Sequence, residues 1–130
     1  MGLDVQLLGA DGFCSDILVQ IGNEAVEGAI FTAGFYAGDP SPDVQNFVTK
    51  YREKFNEEPE MFAAHGYDAA RIVIEAIKKK GTDPEQIREG LAETKDFPGI
   101  TGKTSIDDEG DTLKDVLILQ VENGIFIRLR

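Results

Sequence analysis

Residues 28–35, Gly28-Ala29-Ile30-Phe31-Thr32-Ala33-Gly34-Phe35, are apolar on both alternations. A strand hidden on both faces reads this way, as parallel strands do. Upstream, Leu3-Asp4-Val5-Gln6-Leu7-Leu8-Gly9 is a second short strand, closed by a turn at Ala10-Asp11-Gly12. Between the two strands Ser15 is placed to N-cap a short helix, with Ile17, Leu18 and Ile21 facing one side and Gly22-Asn23 ending it. The first 35 residues therefore read as a β-α-β unit, and the fold class as α/β.

Beyond Tyr36 the texture changes. Ala37-Gly38-Asp39-Pro40 is loop, and Ser41-Pro42 spells an N-cap followed by proline at the first helical position. The helix behind them carries Val44, Phe47, Val48, Tyr51 and Phe55 on one face, and Glu57-Glu58-Pro59 breaks it. A longer helix is expected from Glu60 to Lys80, with Phe62, Ala69, Ala70, Val73 and Ile77 as its apolar stripe. Lys78-Lys79-Lys80 suits the negative end of the helix dipole, and Gly81 the residue that ends it. Thr82-Asp83-Pro84-Glu85 reads as a capping box for a helix carrying Ile87 and Leu91. A strand over 99–106 and an acidic turn at Asp107–Asp111 follow. A hairpin of 116–121 and 125–129 closes the chain, signalled by Asn123-Gly124.

Charge narrows the function. Among 130 residues, 13 basic side chains face 24 acidic ones, a net of −11. A phosphate-binding face needs a basic excess, so nucleic acid is not an expected partner. No apolar run approaches the ~20 residues of a spanning helix, and membrane insertion is not expected. Cys14 and His65 are each the sole residue of their kind, which leaves no disulfide framework and no cysteine–histidine metal set. Nor do they form a catalytic pair by spacing. The acidic run from Asp107 holds Thr112 and Ile118 where a calcium loop needs Gly and Glu. His65, beside Gly66, reads first as a surface or helix-N-terminal histidine.

Asp11 is different because of its position. It lies just past the carboxyl end of a strand in a β-α-β unit, where open α/β sheets place their ligands. A carboxylate flanked by small residues there suits a cationic group such as an ammonium. No set of residues specifies an enzyme, and no cofactor is implied.

Several stretches in order carry a resemblance: Leu7-Leu8-Gly9-Ala10-Asp11-Gly12, Val26-Glu27-Gly28-Ala29-Ile30-Phe31 and Phe47-Val48-Thr49-Lys50-Tyr51. Further on come Phe62-Ala63-Ala64-His65-Gly66-Tyr67-Asp68-Ala69-Ala70, Phe97-Pro98-Gly99-Ile100-Thr101-Gly102 and the acidic 107–111. Together they resemble the C-terminal third of the branched-chain amino-acid substrate-binding proteins of ABC transporters, the type I periplasmic binding proteins. The resemblance implies a two-lobed fold closing on a small solute, an ABC permease as partner and a periplasmic or extracytoplasmic location. On it, the 130 residues are expected to be a single fragment. Residues 3–35 and 113–130 would belong to lobe two, and 37–111 to the returning part of lobe one. The N-terminal part of the family fold, which holds the ligand's carboxylate, would be absent.

The resemblance also implies roles. Asp11 matches the carboxylate that takes the ligand's ammonium, at a position where leucine-type binders more often carry glutamate. Gly12 and Phe13 share its loop. Phe62 and His65 match a stretch that lines the cleft. Tyr36, at the crossover, and Phe13 stand at the cleft edge or pack in the core. The ligand would be a branched-chain or related amino acid or amide. The alternative is a truncated structural domain that binds nothing. Its incompletely covered apolar faces lead us to expect a homo-oligomer. Met1-Gly2-Leu3-Asp4 shows no export signal, so the chain as written reads as cytoplasmic.

Overall fold

The computed structural model describes residues 5–129. Seven strands and four α-helices follow in the order β1 (Leu8–Gly9), α1 (Asp16–Gly22), β2 (Ile30–Ala33), α2 (Pro42–Phe55), α3 (Met61–Lys80), α4 (Pro84–Ala92), β3 (Phe97–Gly99), β4 (Gly102–Ile106), β5 (Thr112–Lys114), β6 (Leu117–Glu122) and β7 (Ile125–Arg128). They form two sheets, β1-β2-β6-β7 and β3-β4-β5. β1 and β2 run parallel with Gly9 beside Phe31, which bears out the β-α-β reading. β6 returns antiparallel to β2, with Leu119 beside Phe31.

The strands are shorter than expected. Of the stretch 3–9 only Leu8–Gly9 pairs, and residues 3 and 4 lie outside the described residues. Within 28–35 the strand proper is Ile30–Ala33, with Gly28 and Ala29 bonded to Val121 ahead of it, and only one face is fully buried, since Ile30 and Thr32 are half-buried. The strand expected over 99–106 is instead a hairpin, β3 and β4 joined through Ile100-Thr101, with Gly102 at φ +93°. The closing hairpin is as expected. Asn123 and Gly124 both take positive φ, 53° and 73°, as a two-residue turn matching the strand twist requires. The Glu27 carboxylate accepts from the Asn123 amide at 2.6 Å and from the Gly124 amide at 3.2 Å.

Helix ends follow local chemistry. Ser15 caps α1, its Oγ accepting from the Ile17 amide at 3.4 Å. In α4 the cap is Asp83 rather than Thr82, its Oδ1 accepting from the Glu85 amide at 3.0 Å. Pro84 then occupies the first helical position, which Thr82 as cap would have denied it. Gly81 ends α3 at φ +117°.

Two apolar clusters hold the fold. One gathers Ala29, Phe31, Ala33, Leu119 and Val121 across β2 and β6; the other gathers Phe35, Val44, Phe47, Val48, Met61, Ala64 and Ile100 around α2 and α3. Cys14 packs against both. The two longer-helix stripes divide. In α2, Val44, Phe47 and Val48 are buried as expected, while Phe55 is exposed. In α3 the buried positions are Met61, Ala64, Asp68 and Ala76. Phe62, Ala69, Ala70 and Val73 point outward instead, Phe62 at 79% exposure. α1 likewise leaves Ile17 and Ile21 exposed and turns Leu18 and Val19 inward.

The reason α3 is rotated is Asp68. Its side chain is buried, yet it is fully employed. Oδ1 accepts from the Ile100 amide at 3.1 Å, and Oδ2 from the Thr101 amide at 2.8 Å and the Thr101 hydroxyl at 2.6 Å. The β3–β4 turn is thereby tied to the middle of α3. Lys114 of β5 donates to the same Thr101 hydroxyl. Burial pushes the Lys114 ammonium below its ordinary range, and Asp68 pulls it back up.

Candidate functional site

β1 ends at Gly9, and a single 3-10 turn over Asp11–Phe13 carries the chain away from the sheet. The Phe13 amide donates to the Ala10 carbonyl at 3.0 Å, and the Cys14 amide to the Asp11 carbonyl at 2.9 Å. Phe13 folds back beneath this turn. A Cβ on Gly9 would lie 2.4 Å from the Phe13 ring, and the ring packs on Phe31 with centroids 6.3 Å apart. Phe13 is thus a core anchor for the loop. Asp11 and Gly12 are left exposed at the tip.

β1 ends opposite Phe31, while β2 runs on to Ala33, and Gly34 is the next residue. Here α3 comes close. A Cβ on Gly34 would stand 2.4 Å from His65 Cε1 and 2.7 Å from Nε2, so the imidazole edge rests on Gly34's backbone. Nδ1 of His65 lies 2.9 Å from the Met61 carbonyl, one turn back. Asp11 thus follows the carboxyl end of β1, and His65 lies against the residue that follows β2. Phe62, three residues before His65, lies one turn earlier on α3. His65 is half-buried against a strand end rather than free on the surface.

Tyr36 lies elsewhere. Its ring covers Gly38, and it packs at the rim of the β2–β6 cluster. It also lines a cavity of about 620 Å³ between α1, the 35–38 crossover, the start of α3 and β7, with Cys14, Val19, Glu60, Met61 and Phe126. None of Asp11, Gly12, Phe13, Phe62 or His65 lines that space. Across its mouth the Ser15 hydroxyl donates to Glu60 Oε1 at 3.0 Å. Burial, with Glu60, Asp16 and Asp11 nearby, pushes the Cys14 thiol up to about 11. A thiol held protonated this way is no nucleophile.

Sequence reasoning placed Asp11 but missed Gly34 and the Ser15–Glu60 bond. A glycine inside an apolar strand stretch is a known mark of close approach, and Gly34 carried that signal. The acidic turn at 107–111 is explained by its own backbone: Asp107 Oδ1 accepts from the Glu109 and Asp111 amides.

The chain belongs to the periplasmic binding protein family, whose description matches residues 1–124. Members and matched structures are solute-binding proteins, not enzymes. The leucine-binding protein LivK of Thermotoga maritima is similar over 99% of this chain and 37% of its own, at 37% identity and a TM-score of 0.88. The substrate-binding protein LivJ of Streptococcus pneumoniae, solved with isoleucine, is similar over 98% of this chain and 38% of its own, at 35% identity and a TM-score of 0.84. Among curated relatives, a Leu/Ile/Val-binding protein homologue of Brucella suis is 34% identical over 113 residues. The chain spans 29% of that relative's length. Among the described residues no helix is long and apolar enough to cross a membrane.

Proposed function

We propose that this chain carries the ammonium-binding part of the solute site in an ABC-type uptake system, outside the cytoplasm and working with a membrane permease. The solute is a branched-chain or related amino acid or amide. The observation that carries the reading is Asp11, an exposed carboxylate just past the end of β1 in a chain of this family. The relatives named for leucine, isoleucine and valine support the solute class.

Residues 3–35 and 113–130 form one lobe on this reading, and 37–111 part of the other. The two sheets and two apolar clusters support that division except at its edges, where Leu113 and Lys114 pair with β4 and Phe35 packs in the α2–α3 cluster. The groups that hold a solute's carboxylate then come from family positions outside these 130 residues. Each charged hydrogen bond not made costs roughly 1.5–3 kcal/mol, so the chain by itself binds leucine only at millimolar levels or weaker. Calorimetry at millimolar leucine is expected to stay silent. Amide NMR at about 50 mM leucine should still move Asp11 and Gly12, and Asp11→Ala should abolish the shifts. No shift at Asp11 would overturn the reading. A dissociation constant under about 100 μM would overturn the division of the site.

A second reading, self-association, is favoured by the outward face of α3. Phe62, Val73 and Ile74 are exposed at 79%, 38% and 49%. A large side chain left in water forgoes roughly 1.5–3 kcal/mol of burial, and a two-fold dimer would recover it. Light scattering after size exclusion tests this, and a 14.2 kDa monomer at all concentrations would rule it out.

A further inference from the structure

Glu60 stands at the N-cap position of α3, yet its side chain makes no capping bond to that helix. Only its backbone takes part, the carbonyl accepting from the Ala64 amide at 3.2 Å. The carboxylate turns to α1 instead and accepts from the Ser15 hydroxyl at 3.0 Å. Ser15 is itself the N-cap of α1, 45 positions away. The two residues fall on opposite sides of the division proposed above, 15 in one body and 60 in the other. They meet at the cavity of about 620 Å³, whose walls come from both bodies: Cys14 and Val19 from one, Pro59 and Met61 from the other. A second polar contact, Arg128 to Asp39 at 2.6 Å, pins the crossover to β7. Polar contacts open to water are cheap to break and remake, whereas separating packed apolar faces forgoes their burial.

We infer that the Ser15–Glu60 bond is a latch between the two bodies, made when they close over the cavity and broken when they part. The inference rests on the two-body, solute-binding reading and names what regulates it. Apparent affinity scales with the fraction of chains in the competent state, so a latch that favours closure raises affinity without touching the solute.

Cys14 reports opening, because its half-buried thiol lines the cavity and packs against both apolar clusters. The test is the rate of its alkylation at pH 8 in the whole chain, without solute. Ser15→Asp keeps a capping side chain for α1 but sets like charges against each other at the latch. It also adds negative charge beside Cys14, so electrostatics alone would slow labelling. The expected result is a rise of about tenfold. Adding Glu60→Gln restores a donor–acceptor pair with reversed polarity and returns the local charge to that of the parent. Labelling should then fall back to within about twofold of the parent. Amide exchange at Phe31 and Val48, one in each cluster, should show both bodies intact throughout. If Ser15→Asp fails to fold, Ser15→Gly takes its place: it is still a fair cap, has no hydroxyl to donate, and should label about threefold faster. Parent-like labelling of the single variant, a double variant as fast as the single, or lost protection at Phe31 or Val48 alongside fast labelling overturns the latch. None of these rates involves solute, so the latch can fail with the solute-binding reading intact. A silent Asp11 amide at 50 mM leucine, with the labelling as expected, overturns that reading alone.

Discussion

The two halves of the molecule are held by opposite means. The β2–β6 half joins Ala29, Phe31 and Ala33 to Leu119 and Val121, residues some ninety positions apart, with nothing polar in the cluster. The α3 half is apolar too, with Ile100 of the β3–β4 turn in its cluster, but it adds a buried carboxylate whose three hydrogen bonds tie that turn to α3. Apolar contact is tolerant of small displacement, while a buried carboxylate fixes register. The first half gains its order from a ladder and apolar packing, and the second adds one buried polar anchor.

That contrast is breakable. The largest effect is expected for Asp68→Ala, which leaves two buried amides and a hydroxyl unpaired at roughly 1–3 kcal/mol each. A loss of about 4 kcal/mol in urea unfolding should result. Hydrogen exchange should rise first at Ile100 and Thr101, with Phe31 and Leu119 still protected. Uniform loss of protection would mean that the halves unfold as one unit. Leu119→Ala, removing a fully buried side chain, should cost about 3 kcal/mol and show the reverse order of exposure.

Cys14 touches both clusters and sharpens the comparison at their junction. Its thiol is raised from 9.0 to about 11. At pH 8 alkylation should therefore run some ten- to a hundredfold slower than for an unfolded thiol. A raised folded value means stability is intact below pH 9 and declines as pH climbs towards 11. Fast labelling at pH 8 in native conditions would show that the halves separate readily. The smallest effect belongs to Arg128→Ala. Its 2.6 Å ion pair with Asp39 bridges β7 and the crossover, but Arg128 is 43% exposed. Such pairs contribute under about 1 kcal/mol, and thermal melting should barely move.

Much of this architecture was legible in the residues. Two apolar runs around a capped short helix gave the parallel pair, and Asn123-Gly124 the closing hairpin. The face of α3 was not legible. Counting apolar positions treats Asp68 as a surface residue, so the stripe drawn through Phe62 and Val73 was rotated away from the one that is buried. Its amide partners, 32 and 33 positions away, leave no local trace. The 97–106 hairpin was missed because Ile100-Thr101 carries no Asn-Gly or Asp-Gly mark. The place of Asp11 past the end of β1 followed from the strand pattern, while its proposed role came only with the family resemblance. The contact of His65 with Gly34 depends on how α3 is set over β2, which no periodicity encodes.

The closing turn has a consequence for the chain's chemical ageing. Asn-Gly pairs are where proteins most readily lose side-chain ammonia, because the next amide nitrogen attacks the asparagine carboxamide and closes a succinimide. Asn123-Gly124 is the one such pair in the sequence. Its attacking nitrogen, that of Gly124, is engaged by Glu27 at 3.2 Å, and the Asn123 amide is held at 2.6 Å. The backbone cannot swing into the cyclising geometry without breaking both bonds and the ladder beside them. Glu27 thus acts as a preservative. In stored protein, isoaspartate at position 123 should accumulate faster in Glu27→Ala than in the parent, and equal rates on peptide mapping would show that the clasp protects nothing.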